Sequence, residues 1–334
     1  MVSDVALTLL GGGFAVGLAL EWLVLTASRR WGVLAHPNAR SLHDAPQPTA
    51  GGVAFVVPLL AYLGWLGAQG ASIALVLCAA AALIAVVGLV DDLRELSARA
   101  RLAAHALAAL AVVWAVLPGA PWPLLALAAF ALVWHINLYN FMDGIDGIAG
   151  AQALVFLVGA QIVGAGLPGW SGDLTWLASG TLLAFLVFNF PPSRLFMGDV
   201  GSGFLGLLTG ALALLLWQQQ SLPLPAALIL LAGFWLDATY TLIVRATTGQ
   251  AFTQAHRSHL YQKLAAKRGH LWTTVGFLGY AIFWLLPLAW MSARHGMQMS
   301  PVALSWLLPA VTPLLVTAWW FRAGLPERRV GSDE

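Results

Sequence analysis

Eleven apolar runs of 16 to 24 residues decide what this chain can become. A hydrocarbon layer of about 30 Å takes roughly 20 apolar residues as a helix, and lipid offers backbone N–H and C=O groups no partner outside a helix or a closed barrel. The runs fall near residues 5–28, 51–67, 71–90, 102–117, 124–139, 149–165, 174–190, 201–217, 224–244, 271–291 and 301–321. Composition agrees, since 60% of the 334 residues are hydrophobic and 9% charged, whereas soluble domains carry about 25% charged residues. The expected fold is an all-α polytopic membrane protein of about 11 transmembrane helices. A net charge of +2 gives no footprint for nucleic acid, which is excluded as a partner.

Very short links such as 118–123 and 218–223 alternate with longer ones rich in Arg, His, Asp and Asn. Lys and Arg are retained on the cytoplasmic side of a membrane. With the N-terminus outside and the C-terminus cytoplasmic, Arg294 alone of the 16 Lys and Arg residues faces out, which favours an odd number of spans. The first run reads as a retained anchor, because no Lys or Arg precedes it, Glu21 interrupts it and Arg29-Arg30 follow it. A single domain over 1–334 is expected, its polar face built from links 29–50, 91–101, 137–148, 189–203 and 245–270. The lone cysteine, Cys78, excludes an intrachain disulfide and a thiolate zinc site.

Polar groups in such a chain are informative because burying an unpaired charge is costly. Asp91-Asp92 close the third run, Asn140, Asp143 and Asp146 follow the fifth, Asn189 ends the seventh and Asp199 precedes the eighth. Asp91-Asp92 can cap a helix and pair with Arg94. Asn140 to Gly147 can be a plain turn, since Asn, Asp and Gly favour turns. Alternatively, polar groups three residues apart ladder along one helical side and offer oxygens to a metal or a ligand's donors.

Phe196-Met197-Gly198-Asp199-Val200-Gly201-Ser202-Gly203 joins a carboxylate to a helix start whose free N–H groups suit phosphate. The plainer reading is an Asp N-cap with small residues for helix packing. His256-Arg257-Ser258-His259 puts two imidazoles and a guanidinium within one helical turn, or forms a basic loop near anionic lipid. Hard oxygen ligands favour magnesium over zinc. Carboxylates for a hard cation with Arg and His for phosphate amount to phosphoryl-transfer equipment. No G-x-x-x-x-G-K-[ST] loop is present, which excludes a Walker nucleotide site.

Five stretches in order then resemble one family: Arg40-Ser41-Leu42-His43 through Pro48 and Gly51-Gly52; Gly88 to Asp92; Asn137 to Gly147; Asn189 to Asp199; and His256 to Gln262. The chain is similar to the polyprenyl-phosphate N-acetylhexosamine-1-phosphate transferases, and within them most similar to bacterial O-antigen initiators. The resemblance implies transfer of a sugar 1-phosphate from a UDP-N-acetylhexosamine to undecaprenyl phosphate, releasing UMP, at the cytoplasmic face of a bacterial inner membrane. It implies Mg²⁺, with Mn²⁺ as an alternative, held by Asp199 and Asn140. By the same similarity Asp91, Asp92 and Asp199 are catalytic, with Asp91-Asp92 serving the acceptor phosphate. Asn140, Asp143, Asp146, Asn189, His256, Arg257, His259 and Arg40 bind substrate, and Asp237 matches an acidic position without an assigned role. Two departures stand out: Thr49-Ala50 replaces a basic residue and a third glycine, and Asp91-Asp92-Leu93-Arg94-Glu95 replaces an Asp-Asp-x-x-Asp pattern.

Direct attack by the lipid phosphate and an aspartyl phospho-enzyme both remain open. A transporter or lipid-linked-sugar flippase is the rival reading, and it requires broken helices and ionisable groups near the midplane. Small residues on nearly every span suit packing within one chain or between two copies, as in a homodimer.

Overall fold

The computed structural model describes residues 3–35, 46–250, 256–297 and 299–326, and these are almost wholly helical. In chain order the helices are α1 (Asp4–Trp31), α2 (Gly52–Ala68), α3 (Ser72–Leu93), α4 (Ala98–Val116), α5 (Trp122–Met142), α6 (Ile148–Val163) and α7 (Gly169–Asn189). They continue as α8 (Asp199–Gln218), α9 (Leu224–Thr247), α10 (Leu260–Tyr280), α11 (Leu286–Ala293), α12 (Pro301–Ser305) and α13 (Leu307–Trp320). A π-helical turn, Ala281–Leu285, joins α10 to α11, giving one span over Leu260–Ala293, and α12 with α13 makes another. Among the described residues nine helical stretches are long and apolar enough to cross a membrane, and α2 and α6 are shorter apolar helices of 17 and 16 residues. The eleven expected runs are therefore all helical. A two-residue antiparallel ladder, β1 (Leu34–Ala35) with β2 (Gln47–Pro48), brackets residues 36–45, so Arg40 lies outside the described residues.

Helix α8 is the hub, packed against α2, α3, α4 and α5. Its neighbours approach closely because glycine carries no side chain at the crossings, the usual device of helices in lipid. A Cβ on Gly88 of α3 would lie 2.4 Å from the Asp199 carbonyl oxygen, and one on Gly52 of α2 2.4 Å from Gly201 Cα. Along the other flank α1 packs on α7. Gly13 meets Leu177 and Gly17 meets Ala184, so the two helices run parallel, as first and seventh spans must in an alternating bundle. Glu21 of α1 and Asp237 of α9 are both fully buried.

The tenth span starts eleven residues earlier than hydropathy predicts. Asp237 of α9 accepts the amides of Leu260 and Tyr261 at 2.8 and 2.9 Å, and His259 with Gln262 closes a capping box. Capping of these otherwise unpaired N–H groups holds a polar first turn in helical form. Apolar content alone does not reveal that turn.

Candidate active site

The C-terminal ends of α3, α5 and α7 meet the N-terminal ends of α8 and α10. Asp92 lies in the last turn of α3. Its Oδ1 accepts the Asp199 amide at 2.8 Å and its Oδ2 the Val200 amide at 3.1 Å. A carboxylate from another helix thus caps α8, and it complements the positive end of the helix dipole. Gly198 permits this: its φ is +76°, and a Cβ there would lie 2.5 Å from Asp92 Oδ2. Here the structure corrects the sequence reading. The amides of Asp199 and Val200 are taken by Asp92, and those of Gly201 and Ser202 by the Gly198 carbonyl, so the α8 start offers phosphate no free N–H groups.

Asp199 begins α8, and its Oδ1 accepts from Asn140 Nδ2 at 2.8 Å. The same Asn140 nitrogen donates to Ser202 Oγ at 3.1 Å. Asp91 accepts the Leu96 amide at 2.7 Å and the Arg101 guanidinium at 2.6 Å. Arg101 Nη1 also lies 3.6 Å from Asp199 Oδ2, so one cation serves two carboxylates. The sequence reading counts Arg101 only as a topology charge. Its place in the first turn of the helix after the acidic pair is the signal that singles it out. Arg94, offered as the partner of the pair, is exposed.

The stretch from Asn140 to Gly147 does not form a helical ladder. Helix α5 ends at Met142, Asp143 is its C-cap, and Gly147 with φ +75° starts α6. The turn is held by its neighbours: Tyr261 Oη donates to the Phe141 carbonyl at 2.9 Å, and a Cβ on Gly144 would collide with the Tyr261 hydroxyl. Asn189, buried at the end of α7, accepts the Gly147 amide at 2.9 Å and donates to the Leu195 carbonyl at 2.9 Å. Its side chain ties the α5–α6 turn to the 190–198 loop, which contains a cis peptide at Pro191-Pro192. Asp146 Oδ2 accepts the Ser193 amide at 3.1 Å, and its Oδ1 lies 3.3 Å from His270 Nδ1. Asp143 sits between the clusters. Burial raises its carboxyl from the usual 3.8 to about 7, and the negative charges of Asp92 and Asp146 add to the effect.

The histidine stretch has no regular secondary structure at 256–258 and becomes helical only at Leu260, correcting the single-turn expectation. His256 and His259 have ring centroids 4.9 Å apart, and His259 stacks on Tyr261 at 5.7 Å. Arg257 is exposed, while His259 is buried with Nδ1 3.8 Å from Asp237. Asp91, Asp92, Asn140 and Asp199 therefore form one network, Asp146 and Asn189 a second across the turn, and the histidines a third joined through Tyr261. Among the described residues no three His, Cys, Asp or Glu side chains converge as a metal cluster.

Residues 74–217 match the model of glycosyl transferase family 4. A phospho-N-acetylmuramoyl-pentapeptide-transferase of Oceanobacillus iheyensis is 34% identical over 165 residues, covering 47% of this chain and 49% of that protein. A second protein of that name, from Acaryochloris marina, is 34% identical over 128 residues, covering 37% and 32%. A "probable undecaprenyl-phosphate N-acetylglucosaminyl 1-phosphate transferase" of Bacillus subtilis is 31% identical over 150 residues, covering 43% and 41%. The chain spans at most about half the length of these relatives. The matched residues carry the Asp91, Asp92, Arg101, Asn140 and Asp199 network, and over this stretch the chain is similar to glycosyl transferase family 4.

Proposed function

We propose that this chain moves a sugar 1-phosphate of the N-acetylhexosamine type from a UDP-sugar to undecaprenyl phosphate, giving undecaprenyl-diphospho-sugar and UMP. The observation that carries this reading is the meeting of Asp92, Asn140 and Asp199, from three helices, inside the family match. The name of the Bacillus subtilis relative, which pairs undecaprenyl phosphate with a sugar 1-phosphate, supports the same chemistry.

In this reading an oxygen of the lipid phosphate attacks the phosphorus that bears the sugar. The bond from that phosphorus to the bridging oxygen breaks, and UMP leaves with its electron pair. A phosphate monoester with its last pKa near 6 is mostly dianionic at neutral pH, so little base strength is required. Asp92, with both oxygens on the α8 amides, acts by aiming Asp199. Asp91 fixes Arg101 beside Asp199. Arg101, Arg257, His256 and His259 neutralise phosphate oxygens, and Arg40 joins them from the first link. Asp143 and Asp146 position the uridine, on a turn that Asn189 holds in place.

The residues fit magnesium. This ion is commonly bound through one or two carboxylates and completes its shell with water and phosphate oxygens, so a three-residue cluster is not required. Asp199 supplies a carboxylate, and Asn140, whose nitrogen is spent on Asp199 and Ser202, retains Oδ1 as a hard oxygen donor. When bound, Mg²⁺, or Mn²⁺ in its place, supplies positive charge to the diphosphate oxygens.

The basic residues at this end of the bundle support a cytoplasmic site in a bacterial inner membrane. There the reaction initiates a cell-surface polysaccharide such as O-antigen. The test is a panel of UDP-sugars with undecaprenyl phosphate and the full chain in nanodiscs, scored for UMP. Release that requires the lipid and one N-acetylhexosamine donor is expected. No UMP with any donor, together with substrate uptake into proteoliposomes, would replace this reading with a transporter.

A further inference from the structure

Gly269 breaks α10 in the middle, with φ +81° and ψ 168°, a conformation essentially reserved for glycine. Beyond the break, His270 and Thr274 stand one turn apart on one helical face. They take two atoms of the same residue. His270 Nδ1 lies 3.3 Å from Asp146 Oδ1, and Thr274 Oγ1 donates to the Asp146 carbonyl at 2.8 Å. From the opposite side the Ser193 amide reaches Asp146 Oδ2 at 3.1 Å.

Closing the α5–α6 turn does not need His270. Asn189 holds the Gly147 amide and Tyr261 holds the Phe141 carbonyl, so the turn is anchored at both ends without it. What His270 adds is the orientation of one carboxylate. The pair is partly open, with side chains 21% and 14% exposed, unlike a sealed structural ion pair.

We infer that His270 is a positioning residue for the donor nucleotide. It holds Asp146 so that the carboxylate's remaining lone pairs face the nucleotide's O–H and N–H donors. A carboxylate has about four acceptor sites. The Ser193 amide uses one and the His270 ring sits against the other oxygen, which leaves an oriented remainder whose ordering cost is met before the ligand arrives. The inference rests on the reading that Asp146 contacts the UDP portion of the donor.

The test titrates UMP into the full chain in nanodiscs by calorimetry, for wild type, His270→Met, His270→Gln and Asp146→Asn, with UMP-release kinetics alongside. Methionine fills similar volume without a donor and should weaken UMP binding about tenfold. It should also raise KM for the donor far more than it lowers kcat, while melting temperature stays near wild type. Glutamine keeps an N–H and should restore most of the affinity. Wild-type UMP affinity in His270→Met, with loss in Asp146→Asn, overturns the inference and leaves the role of Asp146 standing. Undiminished affinity in Asp146→Asn overturns both.

Discussion

Asp92 Oδ1 accepts the backbone N–H of Asp199 at 2.8 Å, so the acid that ends one helix fixes the acid that begins another. Asp237 repeats the device on the amides of Leu260 and Tyr261. Two carboxylates thus act as caps across helix boundaries. A cap removed costs about 1 kcal/mol, more where the amides are left without water.

Asp92→Asn should therefore lower both melting temperature and turnover, because its amide can no longer accept at both oxygens. Gly198→Ala should do the same by driving a Cβ into Asp92 Oδ2. Thermal unfolding in detergent, read beside UMP release, checks this. A wild-type melting temperature in both variants would remove Asp92 from its capping role.

Asp199→Ala should separate the two readouts. Its side chain accepts from Asn140 and faces Arg101 but caps nothing. Turnover should fall by at least about 10²-fold, the order expected for one lost transition-state contact. The melting temperature should move much less than in Asp92→Asn.

Gly144→Ala should cost about 1–3 kcal/mol, because the added Cβ meets Tyr261 Oη at 2.1 Å. Tyr261→Phe alone should cost about 1 kcal/mol for the bond to Phe141. Since the phenylalanine removes the clashing oxygen, the double variant should lose less than the two single losses added together. Additive losses in denaturant unfolding would contradict the packing described.

Asp143, raised from 3.8 to about 7, favours its neutral form in the folded chain. The stability this gives is complete below the unfolded value near 3.8 and is lost as pH rises through about 7. Asp143→Asn abolishes the titration. The wild type should thus lose melting temperature relative to the variant between about pH 4 and 7, and parallel profiles would rule this out.

Some of the site can be read along the chain. Asn189 and Asp199 flag their neighbourhood because polar residues at the ends of apolar runs are costly unless used. Tyr261 and His270 do not, since an aromatic in a polar first turn or a histidine in mid-helix looks like any interfacial residue. The Asn140, Asp143 and Asp146 spacing even points the wrong way: its period of three reads as helix, while the chain leaves the helix at Asp143 because Tyr261 packs against Gly144.

The sequence by itself determined the eleven helical runs, their order and the gathering of acids at their ends. Those properties follow from the local match between apolar length and hydrocarbon thickness. Only the tertiary structure decided that Asp92 caps α8, that Arg101 bridges Asp91 and Asp199, and that His270 meets Asp146. The physical reason is separation: Asp92 and Asp199 lie 107 residues apart, and such a hydrogen bond exists only after α3 and α8 have packed through Gly88.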